Sequence, residues 1–144
     1  MGFIANGAIT PSHITISSGT FFPEISLDEI RSFVRIDGSV TDVRLQQLTR
    51  EEVIDVNRLL ANLVMKAEKL VDLAVNQIDG KADTEVLYFS AVSNGVAAKV
   101  NEIYRNYDST NSGVKKSESM DCSVDDYRRN KQWAIQQLKG ENHS

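Results

Sequence analysis

The two prolines of this 144-residue chain are Pro11 and Pro23, and everything after Pro23 is free of proline. Proline removes a backbone donor and clashes with the preceding helical turn, so a long proline-free stretch permits uninterrupted helices. Residues 1 to 23 also contain no Asp, Glu, Lys or Arg, and are rich in Ser, Thr, Gly and β-branched residues, as in His13-Ile14-Thr15-Ile16-Ser17. Such a segment makes a poor helix. The chain therefore divides into an extended N-terminal arm over residues 1–22, a helical domain over 23–140 and a short tail over 141–144. Within the arm, Ile14 and Ile16 alternate with Thr15 and Ser17 as in a strand. A free uncharged β-prone stretch invites aggregation. With no sheet predicted in the body to receive it, the arm to about residue 20 is expected to order on an adjacent subunit or other partner by strand addition. A disordered leader is the alternative.

The first helix has a clear start. Ser26 is a good N-cap, Glu29 completes a capping box, and Ile25 can staple onto Ile30. Leu27, Ile30, Phe33 and Val34 form one apolar stripe, and Asp37-Gly38 marks the expected end. The second helix is predicted from Ser39–Thr41 to about Val75, with a possible restart at the Thr49–Glu52 capping box. Val53, Val56, Leu60, Leu63, Ala67, Leu70 and Ala74 follow one another in steps of three and four, the spacing of a heptad seam. Leu59, Val64 and Val71 widen it, so this helix needs neighbours on more than one side.

A loop is expected over Gln77–Lys81, then a third helix from about Thr84 to Tyr107. Its seam runs through Val86, Phe89, Val92, Val96, Val100, Ile103 and Tyr107. Asn94-Gly95 in its middle could instead be a type I′ hairpin turn. The unbroken spacing across it favours the helix, and a glycine inside a helix often marks the close approach of a neighbour. Asp108 to Gly113 is a dense turn cluster, and Lys115 to Asp121 is predicted to continue as polar loop. A last helix is predicted from Ser123, capped over Asp125 and Asp126, to Leu138-Lys139, with Gly140 as its stop. Val124, Tyr127, Ala134, Ile135 and Leu138 form its apolar face. The fold class is all-α: a small bundle of about four helices, one or two of them long, with the extended arm.

Catalytic groups are scarce. His13 lies in the uncharged arm and His143 is the penultimate residue, so neither completes a nucleophile–base pair. No metal-ligand or nucleotide-binding motif occurs, and no cofactor, metal or catalytic residue is expected. The adjacent acids Glu51-Glu52 and Asp125-Asp126 point in different directions and suit first helical turns. Cys122 stands alone and calls for no oxidising compartment. No apolar run approaches the length of a membrane span. The start lacks the basic region of a signal peptide, and Asn6 breaks a myristoylation pattern, so a cytoplasmic product is expected. The net charge of −4 and pI near 5.2 speak against specific nucleic-acid binding. Arg128, Arg129 and Lys131 follow Asp125 and Asp126 at helical spacing, which suits a self-paired face or a protein contact better than a phosphate patch. Tyr127 and Trp133 lie six residues apart and cannot share one narrow stripe, so one of them should face a partner. Trp133 is the better candidate, with a core position as the competing reading.

Three segments together resemble a known family. The first is Phe21-Phe22-Pro23-Glu24-Ile25 with Leu27-Asp28-Glu29-Ile30-Arg31, Arg35-Ile36-Asp37-Gly38 and Val40-Thr41. The second is Tyr104-Arg105-Asn106-Tyr107-Asp108-Ser109-Thr110. The third is Ser123-Val124-Asp125-Asp126-Tyr127-Arg128-Arg129 with Trp133-Ala134-Ile135. Their order resembles the head-completion protein (protein L) family of contractile-tailed temperate phages, over roughly residues 21 to 138. The resemblance implies a structural subunit of the virion neck, made in the host cytoplasm. It would join copies of itself in a ring, of twelve-fold symmetry like the portal beneath which it sits. It would retain packaged DNA, letting it pass without specific binding, and offer the tail its attachment surface. The candidate interaction residues are Phe21 and Phe22, Tyr107 and Asp108, and Tyr127, Arg128, Arg129 and Trp133. Two other classes remain open: a dimeric helical adaptor or regulator working through the Val53–Ala74 seam, and a small-molecule-binding bundle.

Overall fold

The structure, a computed structural model, describes the backbone of residues 13–35, 40–108 and 113–140, and the side chains of 13–35, 40–103 and 124–140. Four helices carry the fold: α1 (Leu27–Val34), α2 (Asp42–Leu59), α3 (Asp83–Asp108) and α4 (Gly113–Lys139). Two short antiparallel strand pairs accompany them. β1 (Thr15–Ile16) pairs with β2 (Ile25–Ser26), and β3 (Gln77–Ile78) with β4 (Lys81–Ala82). The fold is mostly α, as the sequence predicts.

α1 starts where its capping residues place it, the Ser26 hydroxyl accepting from the Glu29 N–H at 3.3 Å. Leu27, Ile30 and Val34 are buried as expected, while Phe33 is half-exposed. Arg35, at φ +61°, takes the left-handed cap position expected of Gly38, and residues 36–39 lie outside the described chain. Arg31 fills the remaining place on the inner face. Its guanidinium donates to the Val40 carbonyl at 3.0 Å and to Asp42 at 2.7 Å, tying α1 to the start of α2. Thr41 caps α2 by accepting from the Arg44 N–H at 3.2 Å. No restart occurs at Thr49: it is buried mid-helix and its hydroxyl donates to the Leu45 carbonyl at 2.8 Å.

The long second helix is corrected by the structure. α2 ends at Leu59, and the chain continues through two 3-10 helices, Ala61–Met65 and Leu70–Leu73. Val53, Val56, Leu60, Leu63 and Leu70 are nevertheless all buried in their own core. The apolar spacing therefore survives while the helix does not. The Leu70 N–H donates to the Phe21 carbonyl at 2.9 Å, a partner from a distant segment that takes the place of a helical acceptor. An adaptor dimerising along a Val53–Ala74 helix is excluded in this form, since the seam is spent inside the subunit.

The N-terminal segment brings a second correction. Residues 13–22 pack on their own body rather than awaiting a neighbour's sheet: β1 finds β2 just ahead of α1, and Ile16 and Phe21 are buried. The Leu27 N–H donates to the Ile14 carbonyl at 2.9 Å, and the Asn57 amide donates to the Ser18 hydroxyl at 2.9 Å. Residues 1–12 lie outside the described chain.

The predicted loop at Gln77–Lys81 is a two-residue hairpin. Asp79 and Gly80 have φ of +56° and +79°, as a type I′ turn requires at both central positions. Asn94-Gly95, the other candidate for such a turn, is helical within α3. α4 starts at Gly113 rather than Ser123, so Lys115–Asp121 is helix and not loop. No proline or glycine lies between Val114 and Lys139 to stop it. Residues 109–112 of the turn cluster lie outside the described chain. α3 and α4 make the most extensive helix pair. Glu102 meets Arg128 and Asn94 meets Asn130, so the two run antiparallel. Ala91 and Ala97 of α3 and Ala134 of α4 are fully buried.

Candidate functional site

α4 is held to the bundle by a charged belt. Glu52 of α2 is only 4% exposed, and its carboxylate receives the Lys131 ammonium at 2.7 Å and the Lys99 ammonium at 3.4 Å. Lys131 also reaches Asp55 at 2.5 Å, and Lys99 reaches Glu51 at 3.0 Å. Gly95 makes the room: a Cβ there would lie 1.8 Å from Glu52 Oε1. Burial draws the Lys131 pKa down, but hydrogen bonds and charge from Asp55 and Glu52 outweigh it and hold the pKa above the ordinary value. Glu51 lies below the usual carboxylate range, first through a hydrogen bond from Gln47 and then through Lys99. Beside the belt, the Asn130 amide donates to Asn94 Oδ1 at 3.3 Å.

This belt fixes which face of α4 looks outward. Val124, Ala134, Ile135 and Leu138 are buried, and Tyr127 packs half-buried against the core. Trp133 is 54% exposed. A large aromatic ring held in water on a rigid helix fits an interface anchor. Arg128 pairs with Glu102 and Arg129 with Asp126 at 2.9 Å, so with Lys131 all three cations of this stretch have carboxylate partners. They form a self-neutralised face rather than a phosphate patch.

The remaining candidates are not gathered with these. Phe21 is buried in the core, and the Phe22 ring stacks on Tyr88 with centroids 5.3 Å apart, which holds the N-terminal segment to α3. Tyr88 in turn donates to Asn57 Oδ1 at 2.8 Å, and burial pushes its pKa up to about 12. Tyr107 and Asp108 end α3, and Cys122 lies within α4, but their side chains are outside the described set. His143 is outside it altogether. His13 is exposed, and its backbone N–H donates to Asp28 at 3.4 Å. Among the described residues, no three His, Cys, Asp or Glu side chains gather as a metal site, and no helix is long and apolar enough to cross a membrane.

One surface escapes the sequence reading. Between α1 and the start of α3 lies an open groove of about 510 Å³, with Ile25, Val86, Tyr88 and Phe89 among its apolar lining. Glu24, Asp28, Glu29 and Glu85 rim it, against a single cation, Lys81. Phe33 and Phe89 meet edge-to-face at its side, with centroids 6.2 Å apart. Phe33 and Val86, each a member of a predicted apolar stripe, are left half-exposed here.

Comparison with known proteins gives a consistent result. The family model described as phage head completion protein (GPL) matches residues 16–144. The head completion/stabilization protein of Escherichia phage P2 is 27% identical over 130 residues, covering 87% of this chain and 77% of that protein. No solved structure matches the chain.

Proposed function

Because the chain belongs to the phage head completion protein (GPL) family, and so to the structural proteins of a phage head, we propose that it closes the filled head as a ring-forming neck subunit. In this reading copies of the chain, twelve to match the portal, assemble beneath the portal in the virion neck after synthesis in the host cytoplasm. The ring retains the packaged DNA and gives the tail its attachment surface. The observation that carries the reading is the family match over nearly the whole chain. Three features support it. The surface is acidic overall, with a net charge of −4, which lets DNA pass without sticking. The basic stretch of α4 is neutralised by its own carboxylates. Trp133 stands exposed on a helix that the Glu52 belt holds rigid.

The role is assembly rather than catalysis, with Trp133, Arg128 and Arg129 on the surface that meets the portal, the tail or a neighbour, and Tyr127 turned toward the core. Electron microscopy of the purified chain, alone and mixed with portal, tests the reading directly. Rings seated on the portal are expected, and heads lacking the chain should lose their DNA. A chain that neither seats on portal nor copurifies with heads would sink it. Trp133→Ala should leave a folded protein that joins its partners at least tenfold less well, as loss of an interface anchor does. Replacing His13, Cys122 and His143 together should leave head completion intact.

A further inference from the structure

A ring closes only through head-to-tail contacts, in which two different surfaces of one subunit meet. The groove between α1 and α3 is one such surface, apolar at its floor and carrying four carboxylates against one ammonium at its rim. The salt bridges among the described residues engage neither Glu29 nor Glu85. A complementary surface lies on α2. Val43, Gln47, Arg50, Ile54 and Arg58 follow one another at steps of four, three, four and four, which puts them on one outward face. Val43 is 78% and Ile54 52% exposed. No acid lies in this stripe. The α2 acids Asp42, Glu51, Glu52 and Asp55 face Arg31, Lys99 and Lys131 instead. Arg50 and Arg58 make no ion pair among the described residues.

We propose that the groove between α1 and α3 of one copy receives the Val43–Arg58 face of α2 from the next. The stripe is about 22 Å long at the rise of an α-helix. It brings two apolar anchors and two guanidinium groups, the composition an acid-rimmed apolar groove selects. Copies of an acidic chain repel one another at long range, so a local exchange of opposite charge is what lets them meet. The groove lining and the α2 face share no residue, so each subunit can give and receive at once.

The inference rests on the ring reading above, and the test separates the two. Phage heads are assembled with Cys122→Ser, Ile54→Cys and Val86→Cys combined in the full chain, oxidised, and run on a non-reducing gel. A ladder of cross-linked multimers is expected, absent from either single cysteine variant. The chain present in heads but running as monomer overturns this contact and leaves the head role standing. The native chain absent from heads overturns both. Should the cysteine variant fail to enter heads, a charge exchange decides. Arg50→Glu or Glu85→Arg alone should lower the yield of filled heads at least tenfold, and the two together should restore it to within threefold. Single variants without effect, or a pair without rescue, overturn the proposal.

Discussion

A carboxylate as deeply placed as that of Glu52 is tolerated where cations reach it and nothing displaces it. Lys131 and Lys99 supply the cations, and Gly95 supplies the space. Gly95→Ala would gain up to about 1 kcal/mol of helix propensity. Breaking a buried pair costs about 3–5 kcal/mol, so a net loss of roughly 2–4 kcal/mol is expected in urea unfolding. A stabilised variant would mean that Glu52 swings aside freely. Tyr88 gives a second test. Its pKa is raised to about 12 from an ordinary 10, so the folded chain holds the proton that the unfolded chain has released. The stabilisation is fully present below pH 10 and is lost as pH rises from 10 to 12, up to roughly 3 kcal/mol. The raised pKa of Lys131 acts in the same direction at alkaline pH. An alkaline stability profile that flattens in Tyr88→Phe is the expected outcome; a wild-type profile flat from pH 10 to 12 would contradict it. At this scale the sequence was half legible. Gly95 could be read as a close approach, but Glu52 looked like a first-turn acid, because its partner Lys131 lies 79 residues away.

Elements were legible where their signals are local. The Ser26 cap, the Thr41 cap and the unbroken spacing of α3 all lie within a few turns of the residues they organise. The end of α2 has no such signal. No proline or glycine stands near Leu60, and Leu63 and Leu70 keep helical spacing while being buried by 3-10 turns instead. The chain beyond α2 is instead tied to a segment far upstream, for the Phe21 carbonyl, 49 residues before Leu70, accepts the Leu70 N–H at the start of the second 3-10 helix. Asp79-Gly80 did carry a local hairpin signal, hidden by reading it as loop. The N-terminal segment is therefore part of the fold from residue 13 onward, and its removal should show as lost stability before any effect on assembly. Ile16→Ala should cost roughly 2–4 kcal/mol, as large-to-small core changes do. Deleting residues 2–18 should cost at least as much, since it also removes the Ser18 bond to Asn57. Either variant unfolding at the same urea concentration as the full chain would show that β1 adds nothing to the body.

For the whole molecule, the deciding quantity is where charge is left unpaired. The ring proposed above would have to surround a polyanion without gripping it, and the affinity of proteins for duplex rises with each phosphate a cation neutralises. This chain carries 16 Lys and Arg against 20 Asp and Glu. Arg128, Arg129 and Lys131, the densest basic stretch of the last helix, are all engaged by Glu102, Asp126, Glu52 and Asp55. Of the exposed α2 cations without an ion pair among the described residues, Arg44, Arg50 and Arg58, the last two stand two turns apart and flank Ile54, a spacing that suits a protein groove better than a continuous phosphate track. Duplex binding at physiological salt should thus be weaker than about 10 µM, toward the feeble end of non-specific binding, with little dependence on salt. Fluorescence anisotropy of a labelled 30-base-pair duplex titrated with the chain at two salt concentrations measures both quantities. Submicromolar affinity with a steep salt slope would mean that the assembled surface gathers cations the single subunit keeps apart, and that DNA is held by contact rather than by closure.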